Sequence, residues 1–576
     1  MTRQTRFLIL AAALLISPST VSVAAMAAKP EFSSLVNDWY QDNFRAHPLL
    51  AGADGFHQWD DKIDDVTPSG HEAERKRLHG WLDRFTAVDP TALGQTDRDD
   101  REILIAQINA ALLEEEKIQA WRHDPSRYSG LATEAVFATI KRDYAPLKDR
   151  MRFAIARERL IPAMLASAKA EIQDPPRIYV DVALENIEGA IAFFQTSTGE
   201  AFKPVADAKL QAAFADSNAA AIAALQDYAL WLKTIQPGAH GDFALGPENY
   251  HLKLSFEEMI DLPVDQLLAI GEAQLRKDQE AFAATARQID PTKSPDDVAA
   301  AIEKDHPAGD ALVQTARDQL VALRQFIVDR KLTPLPPEKT PTVAATPGFE
   351  RALIEAEMDP PGPYDKRAKE AFYFITPPDA DMSPAERESY LEGFNIPVLN
   401  NTSVHEVFPG HFVQLMLMRS LPRLSMVRRL ANVNSDVEGW AHYCEQMTLD
   451  EGYGGGDPKL RLGQIVDALL RDSRYIVGIR LHTKGMTVDQ AADFFVKEGH
   501  QTPPMALKEA KRGTADPTYL YYTLGKLEIL KLRADWKAKM GDRYAIGDFH
   551  TRLLEAGTVP LKIIRREMMG EDGPLL

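Results

Sequence analysis

Val404-His405-Glu406-Val407-Phe408-Pro409-Gly410-His411-Phe412 sets two imidazoles and a carboxylate around a Pro-Gly pair, and its reading decides how the chain folds around it. Neutral ring nitrogens hold a divalent metal, and a neighbouring carboxylate takes a proton from the bound water. This is the donor set of a zinc hydrolase. In an HExxH helix the two histidines are four apart and share a face. His405 and His411 are six apart, and a helix of about 3.6 residues per turn directs them away from each other. The stretch therefore predicts an interrupted helix. Pro409 lacks an amide hydrogen and Gly410 tolerates positive φ, so a two-residue bulge there returns His411 to the side of His405. A second reading uses the same residues: Ser403-Val404-His405-Glu406 has the S-x-x-E form of a capping box, with Glu406 on the Ser403 amide and both histidines at the surface.

Outward from this stretch, Asp436 to Glu445 reads as a helix with Val437, Trp440, Ala441, Cys444 and Met447 on an apolar face. Glu438, His442 and Glu445 fall on another face. Glu438 lies 27 residues after His411, enough for a second, antiparallel helix to bring its carboxylate to a metal held by the first. The alternative is an amphipathic helix with a solvated charged face.

VHEVFPGHFVQL (404–415), EGWAHYCE (438–445), ADPTYLYYTLGKLEILKLR (515–533) and FHTRLLEAGTVPL (549–561) together resemble the bacterial domain-of-unknown-function 885 family, whose pattern is HExxPGHH followed by EGWAxYxE. Its members are regarded as zinc-dependent peptidases related to the gluzincins. The likeness runs from DWYQDNFRAHPLLAGADGFHQWDD (38–61) to the end of the chain, with its specific motifs beyond Asn400. The resemblance implies one zinc ion held by His405, His411 and Glu438, with Glu406 as general base. It also selects Tyr522 as the phenol that donates to the oxyanion, and places His482 and His550 in matched segments where either could bind oxyanion or substrate. Glu445 and His442 are expected to support the ligands from behind. Two departures stand out. Phe412 replaces a second histidine after PGH, and Gly478-Ile479-Arg480-Leu481-His482 keeps only the histidine of the usual D-T-G-[IL]-H element.

The remaining sequence sets bounds. Arg3 and Arg6 precede the apolar run Phe7 to Ile16, and small residues at Ala24 to Ala28 offer a cleavage site, so residues 1–27 read as a signal peptide exporting the chain across the inner membrane, with the periplasm as the expected address. No cysteine lies directly after that run, which argues against lipid attachment. The sole cysteine, Cys444, forbids an intrachain disulfide and leaves stability to a large core. A formal charge of −18 disfavours nucleic acid or an anionic membrane as partner. Oligomeric state is not readable.

Helical patterns at Ser33 to Asn43, Arg98 to Arg122, Pro146 to Glu171, Ala201 to Thr234, Pro263 to Ala284, Gln464 to Leu481 and Pro517 to Lys539 predict a mainly α protein. The Pro-rich stretch 333–349 divides an N-terminal helical lobe (28–332) from a catalytic lobe (350–576), giving a two-lobed, metallopeptidase-like fold with a cleft. Ala371 to Thr376 is the expected strand, either at the edge beside substrate or buried in the core. Asp516-Pro517 reads as a helix start. Arg471, Arg474 and Arg480 are candidates for a substrate carboxylate or for helix-surface ion pairs. Gly454-Gly455-Gly456 lacks the Lys-Ser/Thr of a phosphate loop and reads as a connection.

The function expected is zinc-assisted hydrolysis of short peptides. A non-catalytic periplasmic peptide-binding or chaperone-like protein, and a zinc hydrolase of non-peptide acyl substrates, are the alternatives.

Overall fold

The computed structural model of the protein describes residues 21–338, 340–347, 355–379 and 381–576. Most of the expected signal peptide (1–20) and parts of the Pro-rich stretch (339, 348 and 349) lie outside the described residues. The chain is mainly helical, with one small sheet, as its periodicities predict. Helices that frame the site are α1 (Val264–Ile289), α2 (Leu312–Arg330), α3 (Ile396–Glu406), α4 (His411–Ser420), α5 (Asn434–Asp450), α6 (Pro458–Thr483), α7 (Pro503–Ala515), α8 (Tyr521–Met540) and α9 (Ile546–Glu555). Between α2 and α3 come β1 (Thr342–Ala345), β2 (Ala356–Asp359) and β3 (Phe372–Ile375), in the order β1-β3-β2. β3 runs parallel to β1 and antiparallel to β2.

The strand expected at Ala371 to Thr376 is therefore the central one. Its run Phe372-Tyr373-Phe374-Ile375 is largely buried, as a strand flanked on both edges must be. The edge beside the site belongs to β2, whose sequence Ala-Glu-Met-Asp alternates but is only four residues long and has no β-branched or aromatic residue to announce it. Helix ends shift for local reasons. The expected Pro146 to Glu171 helix is two, Leu147–Glu158 and Ile161–Glu171, because Pro162 begins a new first turn. α8 starts at Tyr521 and not at Asp516-Pro517, because the Asp516 carboxylate is engaged by the Tyr521 hydroxyl and Arg512. Gly454 to Gly456 lie in the short turn between α5 and α6.

The hydrophobic cores do not follow the Pro-rich boundary. The largest joins Trp39, Phe44, Ile108 and Leu323 to Phe412, Trp440, Ile529 and Leu553. Residues 128–232 form a core of their own, around Met151, Phe194, Phe202 and Tyr228. α1 and α6 share a third core through Leu275, Phe282, Leu469 and Ile476. The apolar stripes of the first helices are thus covered by helices far later in the chain, and the sites of packing are set by complementary faces and not by sequence neighbourhood. Among the described residues no helix is long and apolar enough to cross a membrane.

Candidate metal centre

α3 begins at Asn395, whose side chain accepts from the Val398 amide. Ser403 is therefore well inside the helix, its hydroxyl donating to Gln319 of α2 at 3.3 Å, and the capping-box reading does not hold. Glu406 ends α3, and one of its oxygens accepts from the Met358 amide of β2 at 2.8 Å. The chain then breaks over Val407 to Gly410, with a cis Phe408–Pro409 bond, and restarts with His411 as the first residue of α4. This is a full stop and restart, larger than a two-residue bulge. Gly410 is needed for a reason other than positive φ: its φ is −67°, and a Cβ there would lie 1.7 Å from the His405 carbonyl oxygen. The break is pinned from both sides. Phe408 and Phe412 are fully buried, each worth about 1.5–3 kcal/mol of burial, and the Trp440 indole donates to the Pro409 carbonyl at 3.0 Å.

The restart turns His411 back to His405, with ring centroids 4.8 Å apart and nearly perpendicular. α5 brings Glu438 between them. His405 Nε2 lies 3.3 Å, and His411 Nε2 3.5 Å, from the same oxygen, Glu438 Oε2. His405, His411 and Glu438 are the one group among the described residues whose donor atoms could close on a single metal, all lying within 4.8 Å of one another. Zinc bonds of about 2.0–2.1 Å in tetrahedral geometry require donors about 3.3–3.4 Å apart. The donor set therefore fits zinc in type, and the two imidazole-to-Glu438 separations fit this spacing. Glu438 Oε2 and His411 Nδ1 are buried without a hydrogen-bond partner among the described residues, and a bound cation would satisfy the first of them.

Behind the ligands, Glu445 accepts from His405 Nδ1 at 2.7 Å and from His442 Nδ1 at 3.2 Å. It also receives Asn401 at 3.0 Å and Arg471 at 3.2 Å. A carboxylate on Nδ1 fixes the His405 tautomer and leaves Nε2 as the donor atom. Burial works against charge on His405, yet Glu438 and Glu445 outweigh it and raise the imidazole to about 9. Glu438 is held well below the usual carboxylate range: burial opposes this, but the charge of His411 and the close approach of both imidazoles prevail. Burial, assisted by Lys526, drives His442 down to about 3, so it stays neutral.

Tyr522 faces this group, its ring 6.5 Å from that of His405. Arg512 donates to its hydroxyl at 3.4 Å, and the guanidinium groups of Arg474 and Arg471 lie 5.1 and 5.7 Å from its ring. Burial and the Glu438 charge raise the phenol, against the arginines, so it remains an O–H donor. Tyr519 is core and stands against Gly478 and Gly513. Two glycines allow the close crossing that sets Glu438 against Tyr522: a Cβ on Gly439 would be 2.5 Å from Gly525, and one on Gly525 would be 1.8 Å from the Ser435 carbonyl oxygen.

The other histidines are not brought to the cluster. His482 Nε2 donates to the Gly513 carbonyl at 2.8 Å and its Nδ1 accepts from the Leu245 amide at 3.4 Å. His550 Nδ1 donates to the Leu332 carbonyl at 2.6 Å and its Nε2 accepts from Tyr443 at 2.9 Å. Both rings are buried with both nitrogens used, so neither has a lone pair or proton for substrate. Arg474 is committed to Glu509 by a bidentate pair and Arg480 to Glu272. Sequence reasoning missed Asn401, Arg512 and the Met358 amide. Asn401 sits four residues before His405, on the same helix face, a spacing that could have revealed it; the other two had no such signal.

Residues 48–568 match the family described as bacterial protein of unknown function, DUF885. The chain belongs to the DUF885 family. Two solved structures share its fold. One, from Shewanella oneidensis, is a candidate lipoprotein of unknown function with 26% identity and a TM-score of 0.79; the match covers 93% of this chain and 99% of that one. The other, a candidate lipoprotein from Colwellia psychrerythraea, has 18% identity, a TM-score of 0.80 and coverage of 94% and 99%. No curated protein matches the chain. The chain's single cysteine, Cys444, lies inside α5.

Proposed function

We propose that this DUF885 protein is a zinc-dependent peptidase acting on short peptides. The observation that carries the reading is the convergence of His405 Nε2 and His411 Nε2 on one oxygen, Glu438 Oε2, at 3.3 and 3.5 Å, adjoining a carboxylate, Glu406, that lies next to a ligand in sequence. Zinc held by these three residues would polarise the scissile carbonyl and acidify the attacking water.

The chain's own residues supply the rest. Glu406 takes the proton of the attacking water and returns it to the leaving amine; the Met358 amide, on one carboxylate oxygen, orients it and leaves the other for the proton. Tyr522, kept protonated by burial and by Glu438 and receiving Arg512 on its lone pair, turns its O–H to the oxyanion. Glu445 holds His405 in the ligating tautomer. β2 offers its outer edge, and an extended peptide would lie along it as an added strand. Export of the chain to the periplasm agrees with the candidate-lipoprotein description of both structural neighbours.

The test is metal content by elemental mass spectrometry beside turnover of a short-peptide library. About one zinc per chain is expected, with Glu406→Gln keeping the metal and losing about 10²–10⁴ of the rate. Retained turnover in that variant removes Glu406 as the base. Tight binding of peptides that stay uncut would favour a binding protein instead.

A further inference from the structure

A cleft of about 640 Å³ opens beside the first turn of α5 and the segment leading into α8, away from the metal ligands. Its walls come from distant parts of the chain: Trp39, Tyr40 and His47, then Lys253, Phe256, Glu257 and Glu258, and Asn432 to Asn434. The volume is that of a small-ligand site.

Most of its charges are already matched. His47 bridges Asp64 at 3.3 Å and Glu74 at 3.2 Å, and Arg77 adds a second bond to Glu74. Lys253 holds Glu257, and Asp516 is held by Arg512. Among the described residues, two carboxyl groups on the wall, Asp54 and Glu258, form no direct ion pair, although Lys253 lies within the field of Glu258. Glu258, 2% exposed, has the Ser435 amide, at 3.0 Å, on one oxygen. Burial raises Asp54 to about 7, and raises Glu258 to the same level. An independent sign of a missing guest is Tyr40. It lines the cleft, is 5% exposed, lies within the field of Asp54, and its hydroxyl has no hydrogen-bond partner among the described residues. A buried hydroxyl left unpaired destabilises by about 1–3 kcal/mol, which a guest offering a donor or acceptor would relieve.

Unpaired carboxyl groups favour a cationic guest, and the described residues of the cleft offer no converging triad of metal-donor side chains. Among the described residues only His405, His411 and Glu438 bring three such donors close enough for one ion. Carboxylates dispersed over a cleft with the aromatic faces of Trp39, Tyr40, Phe44 and Phe256 suit an organic ammonium on an aliphatic stem.

We infer that this cleft binds the primary ammonium group of a peptide, using Asp54 and the neighbouring Tyr40 hydroxyl. The inference deepens the peptidase reading by naming the part of the substrate that is recognised, but its binding test does not depend on turnover.

Isothermal titration of the full chain carrying Glu406→Gln, supplied with zinc, uses three probes that this variant leaves uncut. Ala-Ala-Ala amide carries only a terminal ammonium, acetyl-Ala-Lys-Ala amide only a lysyl ammonium, and acetyl-Ala-Ala-Ala amide none. At least one cationic probe should bind about tenfold or more tighter than the neutral one, and which of them does so identifies the source of the ammonium. Asp54→Asn should erase that preference. Tyr40→Phe, which removes only an unpartnered hydroxyl, should reduce it while leaving the melting temperature unchanged or higher, so it decides the matter if Asp54→Asn fails to fold. Equal binding of all three probes, or a preference that survives in every folded variant of the two, overturns the inference. Absence of turnover in the wild type, with the preference intact, would count against the peptidase reading alone.

Discussion

His405 and His411 on one side, and His482 and His550 on the other, are four buried histidines on helices of the same half of the chain, yet their ring nitrogens have opposite fates. In the first pair each Nε2 points at one carboxylate oxygen and has no competing backbone group. In the second pair every nitrogen is taken by a carbonyl, an amide or a phenol. A buried imidazole is a ligand or a structural link according to what its second nitrogen meets, and residue type does not settle that.

The largest effect that tests the contrast is loss of the metal. His411→Ala should take zinc from about one per chain to none and abolish hydrolysis, whereas His482→Gln and His550→Gln should keep the metal and lose about 1–3 kcal/mol of stability each through broken buried hydrogen bonds. Elemental analysis beside urea denaturation reads both; zinc lost from His482→Gln would break the comparison.

Gly410→Ala comes next. Its Cβ would stand 1.7 Å from the His405 carbonyl, so α3 and α4 must part, with about 3 kcal/mol or more of destabilisation and weaker zinc binding. A variant with wild-type unfolding midpoint and zinc affinity would show that the break does not set the ligand geometry.

Glu445→Gln should weaken zinc by about 10–100-fold without removing any ligand, as measured by competition with a chelator. An unchanged affinity would make Glu445 a purely structural acceptor.

The smallest effect is a pair of opposed pH slopes in the metal-free chain. His482 is lowered to about 4 and His550 to about 3, chiefly by burial. The unfolded chain therefore binds more protons at acid pH, and these rings remove stability as pH falls from about 6.5 through those values. His405, raised to about 9 despite burial, adds stability that is complete below about 6.5 and is lost as pH rises through 9. Urea midpoints between pH 4 and 9 should show a shallower acid limb in His482→Gln and a shallower alkaline limb once zinc replaces the His405 proton.

Glu438 and Glu445 are legible in the sequence because one helix face recurs every three to four residues, and α5 keeps that register through Asn434–Asp450. The same local logic identifies α6 and the chain break at Pro409-Gly410. It misjudges Gly410, where the constraint is a carbonyl five residues back and not φ, and it leaves open whether Phe372 to Ile375 is edge or core, because β2 is four residues without a β-branched or aromatic side chain and is defined only by pairing with β3. It assigns Asp516 to a helix cap because the competing Tyr521 and Arg512 side chains come together only in the folded chain.

The helical class, the donor types and the interruption between the two histidines follow from the amino-acid order, since helix period, proline and glycine act within a few residues. Only in the folded chain does Glu438 meet both imidazoles and the Met358 amide hold Glu406, and only there do His482 and His550 become links and not ligands. The reason is that each of those partnerships joins elements tens to hundreds of residues apart, and burial of matching apolar faces, not local propensity, chooses which elements meet.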